Sequence, residues 1–230
     1  MRWSRRPAAA GGARVDQRQR RIVWQSASLL LAYPDDGQGA RLTTVTGLLA
    51  HLPGELADPL AAVVRDLSRR PVLESAAGYV DTFDLRRRTT LLLTYWTDGD
   101  TRNRGAAILD FARAYREAGA EPPAAESADH LAVVLEFAAT VDPEVGARLL
   151  AANRAAIDVL RERLEESGSP YAAVLGAVAA TLPPAGALDR ERARSGPPAE
   201  AVGLQPFTLT VPPRTSSGGP PPGRRHEGAH

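Results

Sequence analysis

Residues 79–105 read YVDTFDLRRRTTLLLTYWTDGDTRNRG, and this stretch decides the reading of the whole chain. Tyr79 and Phe83 stand four apart, which puts both rings on one face of a helix with Asp81, Asp84 and Arg87 on its flanks. Arg86, Arg87 and Arg88 interrupt the apolar pattern. From Thr89 to Trp96 the segment is apolar almost all round, so it is either buried on several sides or offers a surface to something else. Asp98-Gly99-Asp100-Thr101 closes it: Gly99 suits a left-handed cap, and Asp100 or Thr101 suits the N-cap of the next helix. That helix carries Arg102 and Arg104 in its first turn, where the helix dipole disfavours cations. They either reach back to Asp84, Asp98 or Asp100 in surface ion pairs or form a polar recognition point.

Working outward, cap and proline signals repeat on both sides. Ile22, Val23, Ala27, Leu30 and Leu31 have helical spacing that ends at Tyr33-Pro34. A second helix runs from about Ala40 through Leu42, Val45, Leu49 and Leu52 to Pro53-Gly54. Asp58-Pro59 reads as a cap and first-turn proline for a short helix with Leu60, Val63, Val64 and Leu67 inside. Downstream, a helix from Asp100 to Ala118 ends at Gly119. Ser127 or Asp129 caps a helix with Leu131, Val134, Leu135 and Ala138 inside. Asp142-Pro143 opens a long helix to about Glu166, and Ser169-Pro170 opens a last one that stops at Pro183-Pro184. No sustained alternating strand pattern is present in residues 20–182. The expected fold is therefore all-α: one bundle domain of about eight helices over residues 18–183, neighbours mainly antiparallel. Residues 1–17 and the Pro/Gly/Arg-rich residues 184–230 are expected to be disordered. Within that tail, Val202 to Val211 is a short apolar island that could dock as a strand-like motif.

Composition excludes several functions. The 230 residues carry a formal net charge of +1, so nothing in the balance points to nucleic acid. Cysteine is absent, which rules out disulfides, thiolate metal sites and a cysteine nucleophile, and fits a reducing cytosol. All 28 basic residues are arginine. The Arg5-Arg6 pair is not followed by an apolar region that a translocase would need, and no run is long and apolar enough to span a bilayer. The expected location is cytoplasmic, without membrane insertion. No phosphate loop, zinc-protease motif or nucleophile elbow occurs, so neither a catalytic residue nor a cofactor is expected. Asp129-His130 is the one candidate metal pair, read more simply as a helix cap with a neighbouring polar ring.

The motifs at 79–105 resemble the assembly chaperones of respiratory nitrate reductase known as delta subunits, the NarJ/NarW family. The matching features are Tyr-x-x-x-Phe-Asp at 79–84, the arginines after it, Leu91 to Leu93, and Gly99-Asp100-Thr101-Arg102-x-Arg104-Gly105. Phe111, Tyr115 and Gly119 follow. A second match is Asp129-His130-Leu131 with Leu135-Glu136-Phe137, where Ser127-Ala128 replaces the Leu-Pro that usually begins the motif. The resemblance covers roughly residues 20–182. It implies a protein without catalytic turnover that binds the N-terminal segment of the apo catalytic subunit and holds it competent for molybdenum-cofactor insertion. It also implies a peptide site drawn from Tyr79, Phe83, Asp84, Arg87, Tyr95, Trp96, Asp100, Arg102, Arg104, Asp129 and His130. The alternatives are a chaperone for another molybdoenzyme of the dimethyl sulfoxide reductase type, or a helical adaptor. On spacing alone, the aromatics serve either as a groove for an amphipathic client helix or as core.

Overall fold

Asp16 begins the ordered helices: its carboxylate accepts from the Gln19 amide at 2.8 Å while the Gln19 side chain accepts from the Asp16 amide at 3.0 Å. This reciprocal cap starts α1 (Gln17–Leu31). The computed structural model describes residues 15–99 and 102–195, without the Arg87 side chain. Over these residues the chain continues as α2 (Gln38–Leu49), α3 (Gly54–Ser68), α4 (Val72–Tyr79), α5 (Leu93–Asp98) and α6 (Arg102–Glu117). It closes with α7 (Leu131–Thr140), α8 (Pro143–Ala152), α9 (Arg154–Glu166), α10 (Tyr171–Ala180) and α11 (Ala187–Arg194).

The protein is all-α. Among the described residues the only strand-like pairing is one isolated antiparallel bridge, Leu92 to His130. Helix α1 is the hub. It packs against α7, α2, α10 and α3, and buries Val23, Trp24, Ala27, Leu30 and Leu31. Trp24 lies fully inside and donates its indole N–H to Thr181 Oγ1 at 2.9 Å, which ties the hub to the end of α10. Helices α7 and α10 are apolar on nearly every side, as buried helices must be. Helices α7 and α8 cross so closely that a Cβ on Gly146 would stand 2.3 Å from the Ala138 Cβ and 2.4 Å from its Cα.

Among the described residues eleven α-helices stand where about eight are expected, and the differences have local causes. The long helix expected from Asp142 to Glu166 divides at Asn153, whose φ of −101° and ψ of 15° leave the α region. Its start is as expected: Asp142 Oδ1 accepts from the Glu144 and Val145 amides, with Pro143 in the first turn. Pro59 does not begin a helix. It sits inside α3, which starts at Gly54, and the burial of Leu56, Leu60, Val63, Val64 and Leu67 on one face offsets the lost hydrogen bond. The ordered helices also reach past the expected ends of the domain. Helix α1 starts at Gln17, and α11 lies wholly beyond residue 183; apart from Asp189 in its first turn, its ALDRERAR sequence is made of strong helix formers that the average composition of the tail conceals. The rest of both expected disordered ends, with Val202 to Val211, lies outside the described residues.

The central stretch departs most from a regular helix. After α4 the chain widens into a π turn at Val80–Asp84, closed by the Leu85 amide donating to the Val80 carbonyl at 3.0 Å. A 3-10 turn at Arg87–Thr89 follows, then extended backbone from Thr90 to Leu92. Only Leu93–Asp98 is helical in the segment expected to be apolar all round. Gly99 ends it at φ 63°.

Candidate functional site

The segment Leu91–Leu93, which leads from extended backbone into α5, lies alongside residues 129–131. The Leu93 amide donates to the Asp129 carbonyl at 3.1 Å, and the Leu131 amide to the Leu91 carbonyl at 2.9 Å. This bridge brings the two sequence motifs into one junction. Asp129 is its centre. The side chain is fully buried and accepts from the Thr94 amide at 3.1 Å, from Thr94 Oγ1 at 2.6 Å and from the Ser127 hydroxyl. It therefore caps α5 from a distant part of the chain, and the expectation that it caps its own helix is corrected. His130 is the N-cap of α7, with no side-chain cap bond. Arg104 reaches the same point, donating from Nε to Thr94 Oγ1 at 3.3 Å. Tyr115, buried on α6, donates its hydroxyl hydrogen to the Ala128 carbonyl at 2.6 Å and stacks with Phe137 at 4.4 Å.

His130 is mostly buried, and its Nδ1 has no hydrogen-bond partner among the described residues. Burial pushes its pKa below the usual histidine value, against the opposing pull of Glu126, Asp129 and Asp84. Asp84 itself is exposed. Among the described residues no group of three or more His, Asp or Glu side chains is arranged to hold a metal ion.

The expected groove aromatics separate into two kinds. Tyr79 and Phe83 are core. Their rings meet at 4.8 Å and pack edge-on against Tyr171, and the Tyr79 hydroxyl donates to the Leu31 carbonyl at 3.0 Å. Burial, then the charge of Asp84, pushes the Tyr79 phenol pKa up. Trp96 is also buried, with only 3% of its surface exposed, so an open aromatic groove at 79–83 and 95–96 does not exist in this form. Both rings of the Tyr-x-x-x-Phe pair face inward across the end of α4 and the π turn, while Arg86 and Arg88 are exposed. Tyr95 remains half-buried and Arg102 is exposed at the start of α6. Asp100 and the Arg87 side chain lie outside the described residues.

One edge of Trp96 does meet open space. A cavity of about 480 Å³ is lined by Trp96 and Thr97 of α5, by Ala152, Asn153, Ala155 and Ala156 at the α8–α9 junction, and by Asp189, Arg192 and Ala193 of α11. Arg163 covers the other part of the ring, its guanidinium carbon 4.8 Å from the centroid, while its Nη1 donates to the Arg88 carbonyl at 3.1 Å. Sequence reasoning missed this groove because its apolar wall is made of alanines from a break at Asn153 that carries no proline or glycine.

Fold and junction together define an all-helical protein whose motif residues mainly build one buried crossing, with a half-filled groove beside it. A family model described as nitrate reductase delta subunit matches residues 49–176, the span that holds this junction. The chain belongs to that family. It is similar to the nitrate reductase-like protein NarX of Mycobacterium tuberculosis, 53% identical over 160 residues, which is 70% of this chain but 24% of NarX. It is also similar to the probable nitrate reductase molybdenum cofactor assembly chaperone NarJ of Bacillus subtilis, 29% identical over 71% of this chain and 89% of that one. The Escherichia coli K12 nitrate reductase molybdenum cofactor assembly chaperone NarJ is 32% identical over 63% of each chain.

Proposed function

We propose that this protein is a system-specific chaperone. It binds the N-terminal segment of the apo catalytic subunit of respiratory nitrate reductase in the cytoplasm and supports molybdenum-cofactor insertion, with no turnover of its own. The names of its relatives support the assembly role, and membership of the delta-subunit family supports the client. The observation that carries the binding mode is the cavity beside Trp96: an apolar wall of tryptophan and alanines with Thr97, Arg163 and Glu162 nearby suits one helix with an apolar face and a charged flank. Among the described residues no helix is long and apolar enough to cross a membrane.

Calorimetric titration with a synthetic peptide from the N-terminus of the cognate catalytic subunit tests this reading. Thr97 is exposed on the groove wall, so Thr97→Arg leaves the core intact and weakens binding by about 1–3 kcal/mol. If the peptide fails to bind while peptides from other molybdoenzymes do, the client is wrong and the chaperone class survives.

A further inference from the structure

Helix α11 occupies the groove poorly. Of its side chains only Ala193 is buried, and its one large apolar residue, Leu188, is 77% exposed. The charged contact is a two-point pair in which Arg194 Nε and Nη2 donate to Glu162 at 3.1 and 2.7 Å. Both partners are substantially solvated, so the pair contributes little. Eight residues form a marginal helix without tertiary support. Ala193 meanwhile lines a cavity of about 480 Å³ that it leaves largely empty, and Asp189 and Arg192 bring charge to a mainly apolar space.

We infer that α11 is a built-in stand-in for the client: it rests on the Trp96 groove and is displaced when a short helix of another chain takes its place. The vacant volume under Ala193 and the carboxylate of Glu162 specify the better occupant. It is a short helix with a large apolar or aromatic side chain where α11 has Ala193, and an arginine next to it to take Glu162. Such a helix fills the cavity that alanine leaves open and keeps the ion pair. Arg154 holds the Leu182 and Pro183 carbonyls at 2.9 Å, which anchors the end of α10, so α11 can swing off from Pro184 to Gly186 without disturbing α10. The identity of the incoming helix rests on the chaperone reading; the release of α11 does not.

The full chain tests this with two probes, the N-terminal peptide of the catalytic subunit and an Ala185–Ser195 peptide carrying Ala193→Phe. Arg194→Glu sets two carboxylates against each other and undocks α11 without touching the groove wall. It tightens binding of either peptide by about tenfold, the gain expected when a competitor docked about nine-tenths of the time is removed. Glu162→Arg also frees α11 but takes away the carboxylate that the incoming arginine uses, so the Phe-bearing peptide binds it more weakly than it binds Arg194→Glu. Hydrogen exchange of α11 amides in the free protein is about tenfold slower than in Arg194→Glu or when the protein is saturated with either peptide. Unchanged affinity in Arg194→Glu, or α11 amides that stay protected in the saturated complex, overturns the inference and leaves the chaperone reading standing. If only the subunit peptide fails to bind, the client reading falls and displacement by the Phe-bearing peptide still supports the stand-in. If neither binds the Arg194→Glu chain, the groove accepts no helix and the inference is overturned.

Discussion

Asp129 shows how one side chain can unite two motifs. It is buried with three donors converging on its carboxylate, so Asp129→Ala leaves the Thr94 amide and hydroxyl without their acceptor in a dry site. The loss is about 3 kcal/mol, read as a lower midpoint in urea unfolding. Asp129→Asn keeps one acceptor oxygen and recovers part of it. Beside it, His130 makes stability depend on pH. Burial lowers its folded pKa below the unfolded value near 6.5, so the unfolded chain binds the proton first as pH falls. Stability is full above about pH 6.5 and declines below it. Urea midpoints at pH 7.5 and 5.5 differ in the wild type, and the difference shrinks in His130→Gln. The sequence flagged both residues, but it could not separate a cap on the adjacent helix from a cap on one 35 positions upstream, because only the fold supplies that proximity.

Among the elements, legibility follows how local each signal is. Asp142-Pro143 acts within one turn, and its cap is seen as expected. Pro59 and Asn153 are different: tertiary burial carries a helix through the first, and packing breaks one at the second where no breaker residue stands. The Tyr79 and Phe83 spacing correctly put two rings on one face, yet that the face turns inward is set by their packing on Tyr171 and the Leu31 carbonyl, which periodicity does not reveal. The α7–α8 crossing depends on a glycine that no turn or positive φ requires. Gly146→Ala forces its Cβ against the Ala138 backbone and lowers stability by at least about 1–3 kcal/mol, measurable by thermal or denaturant melts. Gly105→Ala is the control: its added Cβ meets nothing within 4 Å.

For the whole molecule, the core belongs to α1 through α10, and α11 is attached at its margin. Arg194→Glu therefore melts within about 4 °C of the wild type, since it loosens a helix held by one buried alanine and a solvated ion pair. A larger drop in differential scanning calorimetry would make α11 part of the cooperative core. The bridge between Leu92 and His130 carries a different consequence, one of order in time. The ribosome releases α5 well before it releases the residue that caps it, 35 positions later. Until then the nascent α5 is too short to hold its shape, and Trp96 has no settled place. Helices α1 to α3 can gather early from contacts close in sequence, whereas the groove beside α5 must wait for a long loop to close. On the proposed chaperone reading, a half-made copy is thus unable to capture a client, and competence comes only when synthesis has passed the Asp129-His130 motif.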